Sequence, residues 1–411
     1  MTLLRGNAVV GQSGGPTTAI NATLAGVISG ALKCEAIDKI YGMKNGVDGF
    51  LREDIICLND YFTDTAAFES LKRTPAAALG SCRRKLPVES DPKYSEAFEK
   101  LVSLFEKYGI RYFFYIGGND SMDTVAKLSK YTKEVGYEMR IIGVPKTIDN
   151  DLLGTDHTPG FGSAAKYISV TMQEMLRDTA VYTVPAVTVV EIMGRDAGWL
   201  TASSALGRVL GLPAPDLVYL PERAFDMDNF FADVREALKV KPNVVVAVSE
   251  GLQFADGRYV GEGTQGGAVD AFGHKYLAGT GKALELAVKD RFGCKVRSVE
   301  LNLPQRCAGH LLSNTDITES VRIGREAVHA AVSGVSGEVM VFVRKDADGY
   351  ACDIEHRSVM NIANSTRYVP DEFINEQNNN VTDECCEYLA PLIAGEYPVV
   401  FEMGLPKHII L

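Results

Sequence analysis

The order in which strands, glycine pairs and helices follow one another is the feature that most constrains how this chain folds. An apolar strand pattern at residues 7–11 is followed by Gly14-Gly15, and a second one at residues 111–116 is followed by Gly117-Gly118. A helical pattern comes after each glycine pair. Strands that alternate with helices form mostly parallel sheets, with ligand sites at the carboxyl ends of the strands. The sequence therefore predicts an α/β fold.

The remaining segments continue this alternation. Residues 338–344 and 349–354 also predict a β-hairpin, because they flank a short polar turn. The other predicted strands are residues 37–41, 140–144, 184–192, 217–220, 243–248 and 295–301, and the other predicted helices are residues 94–108, 164–178, 226–239 and 318–331.

One of these strands, residues 140–144, leads into a loop rich in charged side chains. Pro145 ends the strand, because proline has no N–H for the ladder. The loop from Lys146 to Asp151 then supplies an ammonium group, a hydroxyl group and two carboxylates. Deprotonation of an alcohol needs a carboxylate at close range, and phosphoryl transfer needs cations. An ordinary Asp-Asn-Asp turn is the alternative interpretation.

The two glycine pairs predict an anion site. Glycines allow phosphate oxygens to approach backbone N–H groups, and a helix N-terminus adds partial positive charge. The stretch from Gln12 to Thr18 matches neither of the common nucleotide-binding patterns, GxxxxGK[ST] and GxGxxG. A tight turn between strand and helix is the alternative. Because parallel strands end at the same edge of a sheet, we expect these two loops and the 146–151 loop to converge.

Charged side chains elsewhere are further candidates for binding a phosphorylated ligand. Arg195 follows a predicted strand, where it would clamp a phosphate or pair with an acidic neighbour. Arg83 lies in the basic run 79–85, which is either part of a phosphate site or a solvated face. Glu250 also follows a strand and would accept a hydrogen bond from a sugar hydroxyl, or be an isolated charge. His157 lies in a loop, where a lone histidine is more typical of a turn than of a ligand site.

The composition narrows the choice of ligands and of compartment. A formal net charge of -11 argues against a nucleic-acid or anionic-membrane surface, so locally grouped cations must hold any anionic substrate. The eight cysteines show no CxxC spacing, which indicates reduced thiols and neither a zinc site nor a disulfide framework. The N-terminus has no apolar signal core, and no apolar run approaches the roughly 18 residues that span a bilayer. We therefore expect a cytoplasmic protein.

At these residues the chain resembles the phosphofructokinase family. The motifs come in the family's order and at family-like spacing from about residue 7 to 345, and no single motif carries the match. They are Gly14-Gly15, Gly117-Gly118-Asn119-Asp120-Ser121, Pro145 to Asp151, Met193-Gly194-Arg195, Ser249-Glu250-Gly251 and Gln305-Arg306.

The resemblance implies two doubly wound, three-layer α/β/α domains with the active site in the cleft between them. We assign residues 1–160 with 311–360 to a diphosphate-binding domain, and residues 161–310 with 361–411 to a sugar-phosphate-binding domain. The implied reaction is reversible phosphoryl transfer to the 1-hydroxyl of fructose 6-phosphate, with Mg²⁺. We also expect a homo-oligomer, and no nucleic-acid or membrane partner.

The resemblance also implies a role for each matching residue. Asp149 is the base on the 1-hydroxyl, and Lys146 and Asp120 complete the predicted catalytic set. The implied donor-binding residues are Gly14, Gly15, Arg83 and Gly118, and the implied metal ligand is Asn119. The implied substrate-binding residues are Thr147, Ile148, Met193, Gly194, Arg195, Glu250, Arg297 and Arg306.

Two positions predict the phosphoryl donor. Members that use ATP resemble Gly-Gly-Asp-Gly-Ser and Pro-Gly-Thr-Ile-Asp-Asn-Asp, whereas Asp120 and Lys146 replace a glycine in each motif, as is typical of diphosphate-dependent members. A carboxylate at Asp120 would repel the α-phosphate of ATP. Lys146 adds a charge for a donor that lacks a nucleoside. An ATP-dependent enzyme and a non-catalytic protein that binds sugar phosphate are the alternatives.

Three positions depart from the family pattern. Asn119 stands where most members carry an aspartate that meets magnesium, and an amide oxygen is a weaker ligand for a hard cation. Leu303 stands where a histidine or tyrosine often contacts the sugar phosphate. Ala186 replaces an arginine that reaches the neighbouring subunit's substrate in bacterial ATP-using members. We therefore do not expect their allosteric tetramer.

Overall fold

Two open β-sheets organise the protein. The computed structural model describes residues 3–262, 279–345, 349–363 and 365–411. The strands are β1 Gly6–Gln12, β2 Ile37–Met43, β3 Ile55–Cys57, β4 Ile110–Gly117, β5 Arg140–Pro145, β6 Ala186–Ile192, β7 Leu217–Tyr219, β8 Asn243–Ser249, β9 Lys295–Glu300, β10 Glu338–Lys345, β11 Ala351–Ser358, β12 Phe401–Glu402 and β13 Leu405–Pro406.

Helices cover both sheets, and their sequence bounds follow the strand order. They are α1 Ile20–Ala31, α2 Gly46–Leu51, α3 Thr65–Arg73, α4 Tyr94–Lys107, α5 Asn119–Glu134, α6 Phe161–Thr179, α7 Trp199–Ser203, α8 Met227–Val240, α9 Thr280–Phe292, α10 Pro304–Cys307, α11 Asn314–Val332 and α12 Asp383–Leu389. Among the described residues, no helix is both long enough and apolar enough to cross a membrane.

The first sheet has seven strands in the order β11-β10-β5-β4-β1-β2-β3. Its central pairs are parallel, and only the edge strands β3 and β11 run antiparallel to their neighbours. Successive side chains of a strand point to opposite faces. Val10 and Phe114 therefore pack on the face that α1 and α11 cover, and Val9 and Phe113 pack on the face that α4 and α5 cover. Burial on both faces explains why these strands are almost continuously apolar.

The second sheet has four strands in the order β7-β8-β6-β9, and all of its pairs are parallel. It shows the same alternation of side chains. Val190 and Val245 pack against α6 and α7, and Val189 and Val246 pack against α8 and α9. The structure therefore confirms the predicted α/β class with helices on both faces of each sheet.

The end of the chain, which has only a weak sequence pattern, is built into both halves of the molecule. Val369, Ile374 and Leu389 are buried in the core on one face of the second sheet. Ile409 and Leu411 pack against the core of the first sheet. The boundaries of the two domains stay a prediction, because residues near the C-terminus contact both cores.

Some local structure differs from the sequence prediction. The helix expected from residue 122 begins at Asn119, because Gly118 in an extended conformation ends the glycine loop there. The short elements β3, α2 and α3 were not predicted. Strands β10 and β11 form the predicted antiparallel hairpin, but its turn at residues 346–348 lies outside the described residues.

His157 is not in an exposed turn as its loop context predicted. It is buried, with Nδ1 2.8 Å from Asp156 Oδ2 and Nε2 2.8 Å from Glu319 Oε2. Burial lowers the pKa of His157, but the hydrogen bonds to the two carboxyl groups outweigh burial and the net pKa is raised. The charged imidazole therefore joins the 155–158 segment to α11.

Candidate active site

Three loops of the first sheet meet because their strands are neighbours that end together. The end of β1 lies beside the end of β4, with Gln12 paired to Ile116, and Gly117 of β4 is paired to Pro145 of β5. The Lys146 N–H donates to the Gly117 carbonyl at 2.9 Å. The loops after β1, β4 and β5 therefore converge as the strand order predicted.

The first glycine pair lies between cations from both halves of the molecule. Lys146 Nζ donates to the Gly15 carbonyl at 2.6 Å. A Cβ built at Gly14, where φ is +79°, would lie 3.2 Å from Lys146 Nζ, and one at Gly15 would lie 3.4 Å from Arg306 Nη1. Side chains here would fill the space between the loop and these cations. Glycine leaves this space for a ligand with negative charge.

The second glycine pair leads into the N-terminus of α5. Gly118 is the N-cap residue, and no side chain caps the helix. Its first-turn N–H groups and helix dipole therefore face the same loops as Lys146. Asp120 lies in this first turn and pairs with Lys85 at 3.1 Å, where both side chains are partly exposed. The pair joins the predicted basic run to the entrance of the site.

Asn119, the predicted metal ligand, carries an unsatisfied oxygen. Its Oδ1 atom is buried and has no hydrogen-bond partner among the described residues. Two carboxyl groups nearby, Asp149 and Asp151, also raise the local density of oxygen ligands. Oxygen atoms of this kind are what a hard divalent cation binds. The donor set therefore fits such a cation.

The 146–151 loop buries an ammonium group beside two carboxyl groups. Burial lowers the pKa of Lys146 to about 8, although Asp149 and Asp151 act in the opposite direction. Burial also raises the pKa of Asp149, and the like charge of Asp151 adds to the effect. The pKa of Asp151 is raised as well, mainly by burial. A carboxyl group with a raised pKa is a better proton acceptor, as a general base requires.

The loop that carries these groups is tightly turned. Asn150 is buried and has a φ of 56°, in the left-handed region. The Asp149 N–H donates to Thr147 Oγ1 at 3.1 Å, and Thr158 Oγ1 donates to the Thr147 carbonyl at 2.8 Å. Asparagine tolerates the left-handed conformation better than most residues do. The Asp-Asn-Asp sequence is thus a turn, but a buried one whose carboxyl groups are enclosed in the site.

The second sheet contributes loops that follow β6 and β8, whose ends pair at Ile192 and Ser249. Ser249 Oγ donates to the Gly194 carbonyl at 2.6 Å, and the Gly194 N–H donates to Glu250 Oε1 at 3.3 Å. Gln305 Oε1 accepts from the Met193 N–H at 3.1 Å. Side chains of three separate segments therefore fix the shape of this half of the site.

Glu250 connects the two halves of the site electrostatically. Its pKa is raised to about 8, first by burial and then by the charge of Asp149. Arg195 opposes this shift for both Glu250 and Asp149, and Arg306 and Arg83 both lower the pKa of Lys146. The acidic chain thus groups its cations locally around these carboxyl groups, as its net charge demanded.

Arg297 lies apart from this cluster. It pairs with Thr188 in the amino-terminal half of β9 and lines a small cavity with Asp178, Tyr182 and Lys295. The other candidates follow the carboxyl ends of their strands. The prediction that Arg297 binds the sugar's 6-phosphate is therefore not supported within a single chain, because the strand carries this side chain away from the loops.

The sequence argument missed some groups that shape the site. Asp196 raises the pKa of both Asp149 and Asp151, yet it was considered only as an ion-pair partner of Arg195. The contact between Thr158 and the 146–151 loop had no local signal, because the two positions are brought together by the turn between them. Ile148 is buried in the core on one face of the second sheet and so anchors the loop from below.

The fold and the site define an α/β protein that handles phosphorylated ligands in a cleft lined by glycine loops, cations and carboxyl groups. Residues 7–331 match the family described as Phosphofructokinase. The chain belongs to the phosphofructokinase family. Enzymes of this family use a divalent metal.

Relatives match almost the whole chain. A pyrophosphate–fructose 6-phosphate 1-phosphotransferase of Halomonas elongata is 40% identical over 405 residues, which cover 98% of this chain and 95% of that protein. One of Xanthomonas campestris is 40% identical over 413 residues, covering 100% of this chain and 97% of that protein. An ATP-dependent 6-phosphofructokinase 2 of Streptomyces coelicolor is more distant, at 32% identity over 80% of this chain and 88% of that protein.

A solved structure is similar over the same length. The crystal structure of a pyrophosphate-dependent phosphofructokinase from Nitrosospira multiformis has a TM-score of 0.88 and 36% sequence identity. The match covers 98% of this chain and 96% of that one.

Proposed function

We propose that the protein transfers a phosphoryl group from diphosphate to the 1-hydroxyl of fructose 6-phosphate, reversibly, giving fructose 1,6-bisphosphate and phosphate. The observation that carries the proposal is the buried Lys146 between the glycine loops, with Asp120 in the first turn of α5. Relatives at 36–40% identity over nearly the full chain have this activity in their names.

Asp149 accepts the proton of the 1-hydroxyl as the sugar oxygen forms its bond to the transferred phosphorus. The bond between that phosphorus and the bridging oxygen breaks, and phosphate leaves. The raised pKa of Asp149 suits this role, because a base works best when its pKa is near the working pH. In the reverse direction the same carboxyl group returns the proton.

The donor is held by backbone and by cations. The Gly14 loop and the N-terminus of α5 offer N–H groups and partial positive charge, and Lys146 and Arg83 add full charges. Positive groups that are fixed before the reaction stabilise the charge that develops on the transferred phosphoryl group. Thr147 lies beside the same group.

We propose Mg²⁺ as the divalent cation. Asn119 Oδ1 and the carboxyl group of Asp151 would hold it, together with oxygens of the diphosphate. When bound, it neutralises part of the donor's negative charge. Loss of charge at Asn119, relative to an aspartate, places more of the binding on the diphosphate itself.

The acceptor is held by the second sheet. Glu250 accepts a hydrogen bond from a sugar hydroxyl, and Arg306 binds the 6-phosphate from its position next to Gly15. Met193, Gly194 and Arg195 form the wall between these groups. A cytoplasmic location and assembly into a homo-oligomer belong to the same proposal.

Initial rates with diphosphate and with ATP, measured side by side with fructose 6-phosphate and Mg²⁺, test the proposal. We expect kcat/KM for ATP to be at least ~100-fold lower, a discrimination of about 2.7 kcal/mol. Comparable values would favour the ATP-dependent alternative. Absence of turnover with either donor would favour a protein that only binds sugar phosphate.

A further inference from the structure

A short segment near the C-terminus, residues 366–369, contacts both halves of the active site. It lies beyond residues 7–331, which carry the match to the family, and the sequence gives it no recognisable motif. Its position was therefore not predicted. We call it the strap.

On one side the strap holds the catalytic loop. The Arg367 N–H donates to the Asp151 carbonyl at 2.8 Å, and Arg367 Nη1 donates to the Asn150 carbonyl at 3.4 Å. Thr366 forms an antiparallel bridge with Leu152. These bonds reach the backbone on both sides of the left-handed turn at Asn150, next to the base Asp149.

On the other side the strap holds the loop after β6. The Arg367 guanidinium carbon lies 4.1 Å from the centroid of the Trp199 ring, and Trp199 Nε1 donates to the Arg367 carbonyl at 3.1 Å. Glu222 Oε1 accepts from the Gly198 N–H at 2.8 Å and from the Val369 N–H at 2.9 Å. One buried carboxyl group thus links the strap to the segment that carries Arg195.

The guanidinium group is itself fixed in place. Arg367 Nη2 donates to Tyr388 Oη at 2.9 Å, and Tyr388 Oη donates to Asp156 Oδ1 at 2.7 Å. Asp156 is also bonded to His157. Arg367 therefore has charged hydrogen bonds, an aromatic face and a tyrosine partner that together leave it little freedom.

We propose that Arg367 is a positioning residue that sets the distance between the base Asp149 and the sugar held by the loop after β6. None of its contacts described above is to a residue assigned to substrate binding, so it acts through the backbone of Asn150 and Asp151 and through Trp199. A displacement of about 1 Å between reacting groups is enough to lower a rate ~10²-fold. The inference rests on the proposed phosphoryl transfer for its kinetic test, and on the structure alone for its second test.

The kinetic test compares Arg367→Met with a matched control. Arg223 also ties the C-terminal segment to the second half, through Asn378 at 3.0 Å and Asp371 at 3.0 Å, without contacting the catalytic loop. We expect Arg367→Met to lower kcat by ~10- to 100-fold while KM for fructose 6-phosphate changes less than about threefold. Arg223→Gln should keep kcat near that of the parent protein. Equal losses in the two variants would show that the segment has only a general structural role.

Two further variants keep the kinetic test informative if Arg367→Met does not fold. Tyr388→Phe removes the hydroxyl that orients the guanidinium group and should lower kcat in the same direction, by a smaller factor. Arg367→Lys keeps the charge but loses the paired donors and the stacking geometry, so its kcat should fall between those of Arg367→Met and the parent protein. Unchanged kcat in folded Tyr388→Phe and Arg367→Lys proteins would overturn the inference.

The second test needs no reaction. Hydrogen–deuterium exchange of a peptide that covers residues 146–152 should be faster in Arg367→Met, or in Tyr388→Phe, than in Arg223→Gln, because the loop loses its backbone partner. The emission of Trp199, the single tryptophan of the chain, should change in the Arg367 variant and not in the control. Unchanged exchange in this loop would overturn the inference whatever the donor is. An inactive parent protein with the expected exchange pattern would instead count against the proposed function.

Discussion

The donor half and the acceptor half of the active site are built by different means. The donor half uses backbone: glycine loops, the N-terminus of α5 and one buried lysine, all within a few residues of a strand end. The acceptor half uses side chains from separated segments, because Gln305, Ser249 and Glu250 fix the loop after β6. A phosphate needs many N–H groups and positive charge, whereas a sugar needs individually placed acceptors. The donor half is therefore readable from short motifs, and the acceptor half depends on tertiary contacts.

The two halves also respond differently to burial. In the donor half, burial and charge lower the pKa of a lysine, and in the acceptor half they raise the pKa of a carboxyl group, each to about 8. Asp149 lies between them and its pKa is raised by burial and by Asp151. Perturbed groups of opposite sign within one cleft are typical of a catalytic site. The comparison can be tested one residue at a time.

The largest effect is expected where the two halves meet, at the base. Asp149→Asn should keep the fold and the affinity for fructose 6-phosphate but lower kcat by ~10²–10⁴, because the amide cannot accept the proton. Asp123→Asn is the matched control, since Asp123 pairs with Lys127 on α5 at 2.7 Å outside the loop. Steady-state kinetics and circular dichroism give the comparison. Near-normal kcat in folded Asp149→Asn would move the base to Asp151.

The next largest effect should appear in the donor half. Lys146→Met removes a charge that is buried among the glycine loops, so kcat with diphosphate should fall by roughly 10²-fold. Lys127→Met, which removes a lysine from the outer part of α5, should leave kcat unchanged. A loss confined to KM for diphosphate would mean that Lys146 binds the donor without acting on the transferred group.

A smaller effect, of a different kind, is expected in the acceptor half. Glu250→Gln should raise KM for fructose 6-phosphate by about tenfold, as loss of a charged acceptor typically does, and leave KM for diphosphate unchanged. Glu300→Gln at the exposed end of β9 is the control. An equal rise in both KM values would show that Glu250 supports the whole cleft and does not read the sugar.

The pH dependence should show the opposite signs of the two halves. Asp149 must be deprotonated to act, so kcat/KM should fall as pH drops through its raised pKa, above the usual carboxyl range. Lys146 must be protonated, so kcat/KM should fall as pH rises through about 8. Each limb changes the rate about tenfold per pH unit. In Lys146→Met the alkaline limb should disappear and the acid limb should remain; an alkaline limb that persists would have another origin.

Local sequence patterns were sufficient for most of the fold and for the donor half. The predicted strands lie within two residues of those observed, and the α/β class and the family are confirmed. Short elements such as α2 and α3 were missed, because helices of this length lack a full period of apolar residues. Helix α5 starts earlier than predicted because no side chain marks its N-terminus.

Tertiary contacts explain what the sequence could not predict. Arg297 and Arg306 bracket one strand exit in sequence, yet only Arg306 faces the glycine loop, because side-chain direction along a strand follows register. His157 had no visible partner until α11 brought Glu319 to it. Arg367 lies more than 200 residues from the loop it contacts, as its bond to the Asn150 carbonyl shows. Such long-range pairs leave no periodic signal.

The measurement that tests donor choice most directly is a double-mutant cycle of Asp120→Gly and Lys146→Gly, in kcat/KM for diphosphate and for ATP. Asp120→Gly should make ATP a detectable donor or a tighter inhibitor, because it removes a carboxylate from the first turn of α5. Lys146→Gly alone should do little for ATP. The double variant should favour ATP more than the product of the single effects, by a coupling of ~0.5–3 kcal/mol. If Asp120→Gly leaves ATP neither bound nor used, these two residues do not set donor choice and the account is contradicted.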